Sequence, residues 1–205
     1  MFLLKCNHLS YSIGYKKILR DINFEILPGE FVLLTGENGS GKSTLLKLIF
    51  GGSKKECFEW TKKDNARPNF SYLGHENGLY SALSLEENLN YFESISGHSE
   101  SAELVRELLI EFNLNKRLKD PVHTFSEGMK KKSGILRTLL FYPMVLLLDE
   151  PFNGLDEKAS SILKKILNDY KSKGSVLLIT HNPEKFTDVC NKRWNLENGE
   201  LKRVG

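Results

Sequence analysis

Cysteine is scarce in this sequence. The 205 residues hold three, Cys6, Cys57 and Cys190, scattered and without C-x-x-C spacing. That excludes a disulfide framework or a cysteine zinc site and favours a reducing compartment. Long apolar runs are missing too: the longest, near "MVLLL", is far below the roughly 18 residues that a membrane span requires. The opening "MFLLKCNHLS" turns polar after Leu4, too soon for a signal peptide. Any work at a membrane is therefore expected to go through a partner. Neither sign of charge dominates, with 29 Lys and Arg against 26 Asp and Glu for a net +3. No dense basic face is implied, so no nucleic-acid partner is expected. Internal repeats and low-complexity tracts are absent. What remains is 40% hydrophobic and 27% charged, an ordinary globular composition in a chain long enough to bury a core.

Short β-like runs come first: "FLLKCNH", "INFEI" and "FVLLT", the last two separated by a "PGE" turn. The segment "STLLKLIF" has helical apolar spacing and stops at Gly51-Gly52. Next come "CFEW" and "FSYLG" as strands, with the polar stretch 61–69 between them. From about 84 to 140 the pattern is helical, in "SLEENLNYF", "SAELVRELLIEF" and "MKKKSGILRTLLFY". Two buried-type strands, "MVLLLD" and "SVLLIT", flank the helix "DEKASSILKKILNDYK", an arrangement that predicts a parallel α/β core. The end, "RWNLENGELKRV", reads as an antiparallel pair turning at Asn198-Gly199. One domain over 1–205 is expected, with 1–80 and 141–205 forming core and β region and 81–140 an inserted helical part.

Residues 36–44, "GENGSGKST", link the strand "FVLLT" to the helix "STLLKL". This is the G-x-x-x-x-G-K-S/T phosphate loop in its required strand–loop–helix setting. Gly36, Glu37, Asn38, Gly39, Ser40 and Gly41 are expected to turn backbone N–H groups toward phosphate oxygens, with the positive helix end behind them. Lys42 supplies a charge for the β- and γ-phosphates, Ser43 a hydroxyl for Mg²⁺, and Thr44 a further donor. A nucleoside triphosphate, ATP, is the implied ligand. Downstream, "VLLLDEP" ends a buried strand in Asp149 and Glu150, where ligands bind in open α/β sheets. Asp149 suits the Mg²⁺ shell, and Glu150 can polarise an attacking water.

Three further stretches follow in order: "FSEGM" at 125–129, "NGLD" at 153–156, and His181 in "LLITHN". With the phosphate loop and acidic strand, they resemble the ATP-binding subunits of ABC transporters over essentially the whole chain. The resemblance implies an α/β P-loop NTPase: a RecA-like core, an N-terminal antiparallel β subdomain and an inserted α-helical subdomain. It implies that "FSEGM" is the signature and "NGLD" the D-loop, and that His181 is the switch histidine at the γ-phosphate. Ser126 and Gly128 would then offer a second anion-binding helix N-terminus, and Asp156 the D-loop carboxylate. In the family, each ATP lies between one subunit's phosphate loop and the other's signature, so a head-to-tail homodimer is expected. Transmembrane permease subunits are the expected partners. The chain would then lie on the cytoplasmic face of the membrane, held through the permease. The lysine run 130–132 reads as a solvated helix face.

The sequence departs from the family pattern at the adenine-stacking position, which in register is Ile13. Tyr11 and Tyr15 lie two residues to either side, on the same face if the segment is a strand, and any of the three could form the platform. The family places a glutamine-bearing loop where "FSYLGHE" stands. Glu76 is read as the altered sensor residue, an Mg²⁺ ligand that adds negative charge, and His75 as structural. The segment 72–92 also resembles the haem-exporter ATPases of cytochrome c maturation, where L-G-H precedes glutamine. Other exporters remain open, as does an ATP-dependent clamp that dimerises with little turnover.

Overall fold

The computed structural model describes residues 2–51, 54–60, 69–96 and 99–204. Gly52 and most of the polar stretch 61–69 lie outside them. The chain builds two sheets. The larger has six strands: β3 (Phe31–Thr35), β5 (Phe70–Leu73), β6 (Val145–Asp149), β7 (Ser175–Ile179), β8 (Lys192–Glu197) and β9 (Glu200–Arg203), in the order β5-β6-β7-β3-β8-β9. All neighbours run parallel except β8 and β9. The sequence predicts only the antiparallel end; that β8 also pairs in parallel with β3 is a tertiary result. The hairpin turn has positive φ at both Asn198 and Gly199, as a type I′ turn requires.

The central strands are buried on both faces, which is why they read as unbroken Val, Leu and Ile. Their two-residue period divides the core. Phe31, Leu33, Leu146, Leu148, Val176 and Leu178 face one cluster, shared with α2 (Leu85–Ser96), α3 (Ser99–Glu111), α4 (Glu127–Leu140) and α5 (Glu157–Tyr170). Val32, Leu34, Val145, Leu147, Leu177 and Ile179 face the other, shared with α1 (Lys42–Gly51) and the small sheet. Each such side chain contributes roughly 1.5–3 kcal/mol on leaving water, so the strand ends are held firmly in place.

The small sheet is β2-β1-β4, with β1 (Leu4–Ile13), β2 (Lys16–Ile26) and β4 (Phe58–Trp60). Sequence patterning ends the first strand near His8 and begins the next at Ile22. In the structure both run on to meet at a tight hairpin. The added part of β1 alternates as Leu9-Ser10-Tyr11-Ser12-Ile13, with Leu9 buried, while the added part of β2 opens with two exposed lysines. His8 and Asp21 interrupt the ladder with positive φ and pair side chain to side chain at 2.7 Å.

The helical region is joined to the core by satisfied polar groups. Ser84 and Glu87 form a capping box at α2: the Ser84 N–H donates to Glu87 Oε2 at 2.8 Å, and the Glu87 N–H donates to Ser84 Oγ at 3.2 Å. Asn88, wholly buried, accepts from the Tyr80 N–H and donates to the Tyr80 and Ser84 carbonyls. These bonds tie the loop after β5 to the start of α2.

Candidate nucleotide-binding site

The phosphate loop runs from β3 to α1. Gly36, Gly39 and Gly41 all have φ between +80° and +139°, a region costly for other residues. At Gly36 the need is doubled, since a Cβ there would stand 2.2 Å from the Leu196 carbonyl of β8. Lys42 Nζ donates to the Gly36 and Glu37 carbonyls, each at 2.8 Å, bending the lysine over its own loop. The first N–H groups of α1 have no acceptor within the helix. Ile18 of β2 packs against Gly41 and lines the cleft. It was not singled out in the sequence, because only the hairpin folding over the loop brings it there.

A cleft of about 440 Å³ gathers Gly39, Gly41, Lys42, Ser43 and Thr44 with Asp149, Glu150 and His181. Three strand ends, of β3, β6 and β7, meet here, and the parallel register is what brings 31–35, 145–149 and 175–179 level. Asp149 and Glu150 are buried. Glu150 takes φ +51°, an outlier for a non-glycine residue of the kind that collects at functional sites. Its N–H donates to the Ile179 carbonyl at 3.0 Å. The His181 N–H donates to Glu150 Oε2 at 3.2 Å. His181 Nε2 stands 3.3 Å from Oε1 but is not aligned to bond it. Glu150 Oε1 is therefore buried without a hydrogen-bond partner in a residue that lines the cleft, and Ser40 Oγ in the phosphate loop is likewise buried and unpartnered. Buried polar atoms are seldom left so, and these two fit a polar ligand with phosphate and water to offer. The Tyr72 hydroxyl donates to Asp149 Oδ2 at 3.5 Å. Burial first, then the Asp149 charge, raises the Tyr72 phenol well above its usual range and keeps it a neutral donor.

The sensor loop differs from the sequence reading. His75, not Glu76, lines the cleft with Ser43, Asp149 and Glu150. Adjacent side chains in a bend point to different sides, so only one of the pair can enter. Glu76 is solvent-exposed, and its charge acts on the Tyr72 phenol. Among the described residues, no group of three or more His, Cys, Asp or Glu side chains is placed to hold a metal by itself. Ser43 and Asp149 do share the cleft.

Tyr11, Ile13 and Tyr15 do not form one face. Tyr15 lies in the hairpin turn and is fully exposed, Ile13 ends β1 and is exposed, and Tyr11 packs against the core. The turn breaks the period that would align them.

Ser126 caps α4, its Oγ accepting the Met129 N–H at 3.3 Å. Asp156 caps α5, accepting the Ala159 N–H at 2.8 Å and Lys132 Nζ at 2.6 Å. Gly128 packs so closely on the turn before α5 that a Cβ would lie 2.8 Å from the Gly154 carbonyl. Ser126, Gly128 and Asp156 are thus neighbours of one another, and none lines the cleft of the phosphate loop in its own chain. The lysine run is no solvated face. Lys130 pairs with Glu127 and Lys132 with Asp156, and Lys131 is half-buried with its Nζ 3.3 Å from the Gly74 carbonyl.

A parallel-rich sheet whose strand ends present a phosphate-loop sequence, an Asp-Glu pair and a histidine in one cleft is that of a P-loop nucleoside triphosphatase. The ABC transporter family model matches residues 19–153, and the chain belongs to that family as an ATP-binding subunit, an ATPase of the kind coupled to transport. It is 36% identical to the lantibiotic transport ATP-binding protein SrtF of Streptococcus pyogenes, over 87% of this chain and 79% of that one. It is 28% identical to the cytochrome c biogenesis ATP-binding export protein CcmA of Vibrio vulnificus, over 91% of this chain and 95% of that one. A solved ATP-binding subunit of an ABC transporter superposes with a TM-score of 0.88 at 33% identity, covering 98% of this chain and 89% of that one. Among the described residues no helix is long and apolar enough to cross a membrane.

Proposed function

We propose that the chain binds MgATP on its own phosphate loop and hydrolyses it to drive a separate permease. The observation that carries this is the Glu150 carboxylate. It is buried, accepts the His181 N–H at one oxygen and no hydrogen bond at the other, and belongs to a residue lining the same cleft as Lys42 and Ser43. Gly39, Gly41, Lys42, Ser43 and Thr44 would hold the triphosphate, and Ser43 and Asp149 the Mg²⁺. The metal, when bound, supplies Lewis-acid stabilisation of phosphate charge. Glu150 accepts a proton from the attacking water, and His181 keeps that carboxylate oriented. Purified protein is expected to release phosphate from MgATP, and Glu150→Gln is expected to stop release while leaving nucleotide bound. Release undiminished in that variant would refute the mechanism.

The placement of Ser126, Gly128 and Asp156 away from the chain's own phosphate loop supports a head-to-tail homodimer, in which a second copy brings its α4 N-terminus to the nucleotide. Tyr80, Tyr91 and Ile95 leave an apolar face on the helical region, with the two tyrosine rings 5.3 Å apart, which suits the docking of a permease segment. That attachment would place the chain on the cytoplasmic side of the membrane.

Haem export in cytochrome c biogenesis is the finer reading, supported by the CcmA likeness along nearly the full length of both chains and by the L-G-H loop. The higher identity to SrtF supports a peptide exporter instead. Co-purification of the membrane partner from the native host decides between them. An ATP-dependent clamp remains the alternative that the exposed Ile13 and Glu76 favour. Stable ATP-induced dimers without phosphate release would establish it.

A further inference from the structure

α4 carries three lysines, and the middle one does something different from its neighbours. Lys130 and Lys132 are matched by Glu127 and Asp156 on the surface. Lys131 turns inward, and its ammonium donates to the Gly74 carbonyl, the residue immediately before His75. Burial lowers its pKa, while the charges of Asp149 and Glu150 act in the opposite direction and favour its cation. It is thus held within the field of both cleft carboxylates.

Six residues further along, Arg137 bonds the same segment before and after His75. Its Nη2 donates to the Tyr72 carbonyl at 2.7 Å and its Nε to the Asn77 carbonyl at 3.0 Å. The loop from 72 to 77 is therefore bonded at both flanks of His75 by cations of a single helix. That helix is capped by Ser126, so a shift of its N-terminus moves both anchors together.

We propose that Lys131 is a positioning residue of the cleft in its own chain: it fixes the loop that carries His75 through the Gly74 carbonyl and offsets the negative charge of Asp149 and Glu150. The inference rests on the nucleotide reading of that cleft. It assigns α4 two tasks, presenting the signature turn at one end and bracing the sensor loop of the same chain further along.

Two consequences follow, and they run in opposite directions. Removing the cation loosens the loop, and small misplacements in a site cost rate. It also removes a repulsion that a divalent cation would feel beside Asp149, so Mg²⁺ should bind more tightly.

The test compares purified wild-type chain with Lys131→Met, Lys131→Gln and Lys131→Arg, each checked for folding by thermal melt. Steady-state MgATP hydrolysis is measured alongside a Mg²⁺ titration with a fluorescent ATP analogue. Met and Gln should lower kcat by about tenfold or more, with KM for MgATP changed by less than about threefold. The Mg²⁺ concentration at half-saturation should fall severalfold, and Arg should restore both values. Wild-type kcat in the Met variant, or a slower variant with an unmoved Mg²⁺ requirement, would overturn the proposal. So would an Arg variant as slow as Met. A wild-type chain that binds no MgATP would instead defeat the reading of the site itself.

Discussion

Glu150 and His181 meet across the gap between β6 and β7, the His181 N–H bonding Oε2 at 3.2 Å and the imidazole standing 3.3 Å from Oε1. The side chain of Glu150 is 6% exposed and that of His181 55%, so the carboxylate is fixed while the imidazole can still reach a ligand. Two substitutions separate their roles. Glu150→Gln keeps the shape and the backbone bond but removes the base, so single-turnover phosphate release should fall by at least about a hundredfold. His181→Ala keeps the base and the backbone N–H that holds it but removes the imidazole that can reach a ligand, and should lower kcat with a smaller change in nucleotide affinity. Equal effects on binding and turnover would contradict this division.

Gly36 has no room for a side chain. With φ +139° and the Leu196 carbonyl 2.2 Å from an added Cβ, Gly36→Ala must push β8 from the phosphate loop. A loss of roughly 2–4 kcal/mol is expected in urea unfolding, together with lost ATP binding. Gly14, also at positive φ but with open space around it, should lose stability from strain alone when changed to Ala.

Arg137 is buried and bonded to two backbone carbonyls, with the Phe92 ring 5.7 Å from its guanidinium. Burial pushes its pKa down to about 10, so it remains charged at neutral pH. Arg137→Met leaves the Tyr72 and Asn77 carbonyls short of a donor and should destabilise the fold by roughly 3 kcal/mol. Hydrogen exchange should rise chiefly in residues 72–78; a uniform rise would contradict a local anchor.

Asp156 links α5 to α4. The Lys132 hydrogen bond first, then the Ala159 N–H, holds its carboxyl below the ordinary value of 3.8. A folded pKa below the unfolded one means the stabilisation is complete above that ordinary value and is lost as pH falls through the folded one. Asp156→Ala should cost about 1 kcal/mol near neutrality, and the difference should vanish in acid. Urea melts of both proteins across that range provide the check.

Cys6 is buried, and desolvation, helped by the neighbouring Cys57, pushes its thiol up to about 12. Its thiolate is negligible near neutral pH, so iodoacetamide should label the half-buried Cys57 and Cys190 well before Cys6. Peptide mass mapping reads the order, and unfolding in urea should erase it.

The chemistry of this protein is local in the sequence. A phosphate loop needs its glycines, lysine and serine within nine positions, and a buried strand of Val and Leu announces itself by composition, so "GENGSGKST" and "VLLLDE" were legible without a fold. The signature and D-loop stretches are local as well, which is why Ser126 and Asp156 stood out, although that Asp156 caps α5 is a structural finding. What no local pattern carries is the direction of a side chain in a bend or the neighbour that a strand acquires from elsewhere in the chain. Only the tertiary structure turned His75 rather than Glu76 into the cleft and set Tyr15 apart from Tyr11 at a hairpin tip. It likewise drew Lys131 out of a run that reads as solvated and brought it to the loop it braces. Each of these was decided by packing between segments far apart in the chain, where burial and unpaired carbonyls select among orientations that the sequence leaves equal.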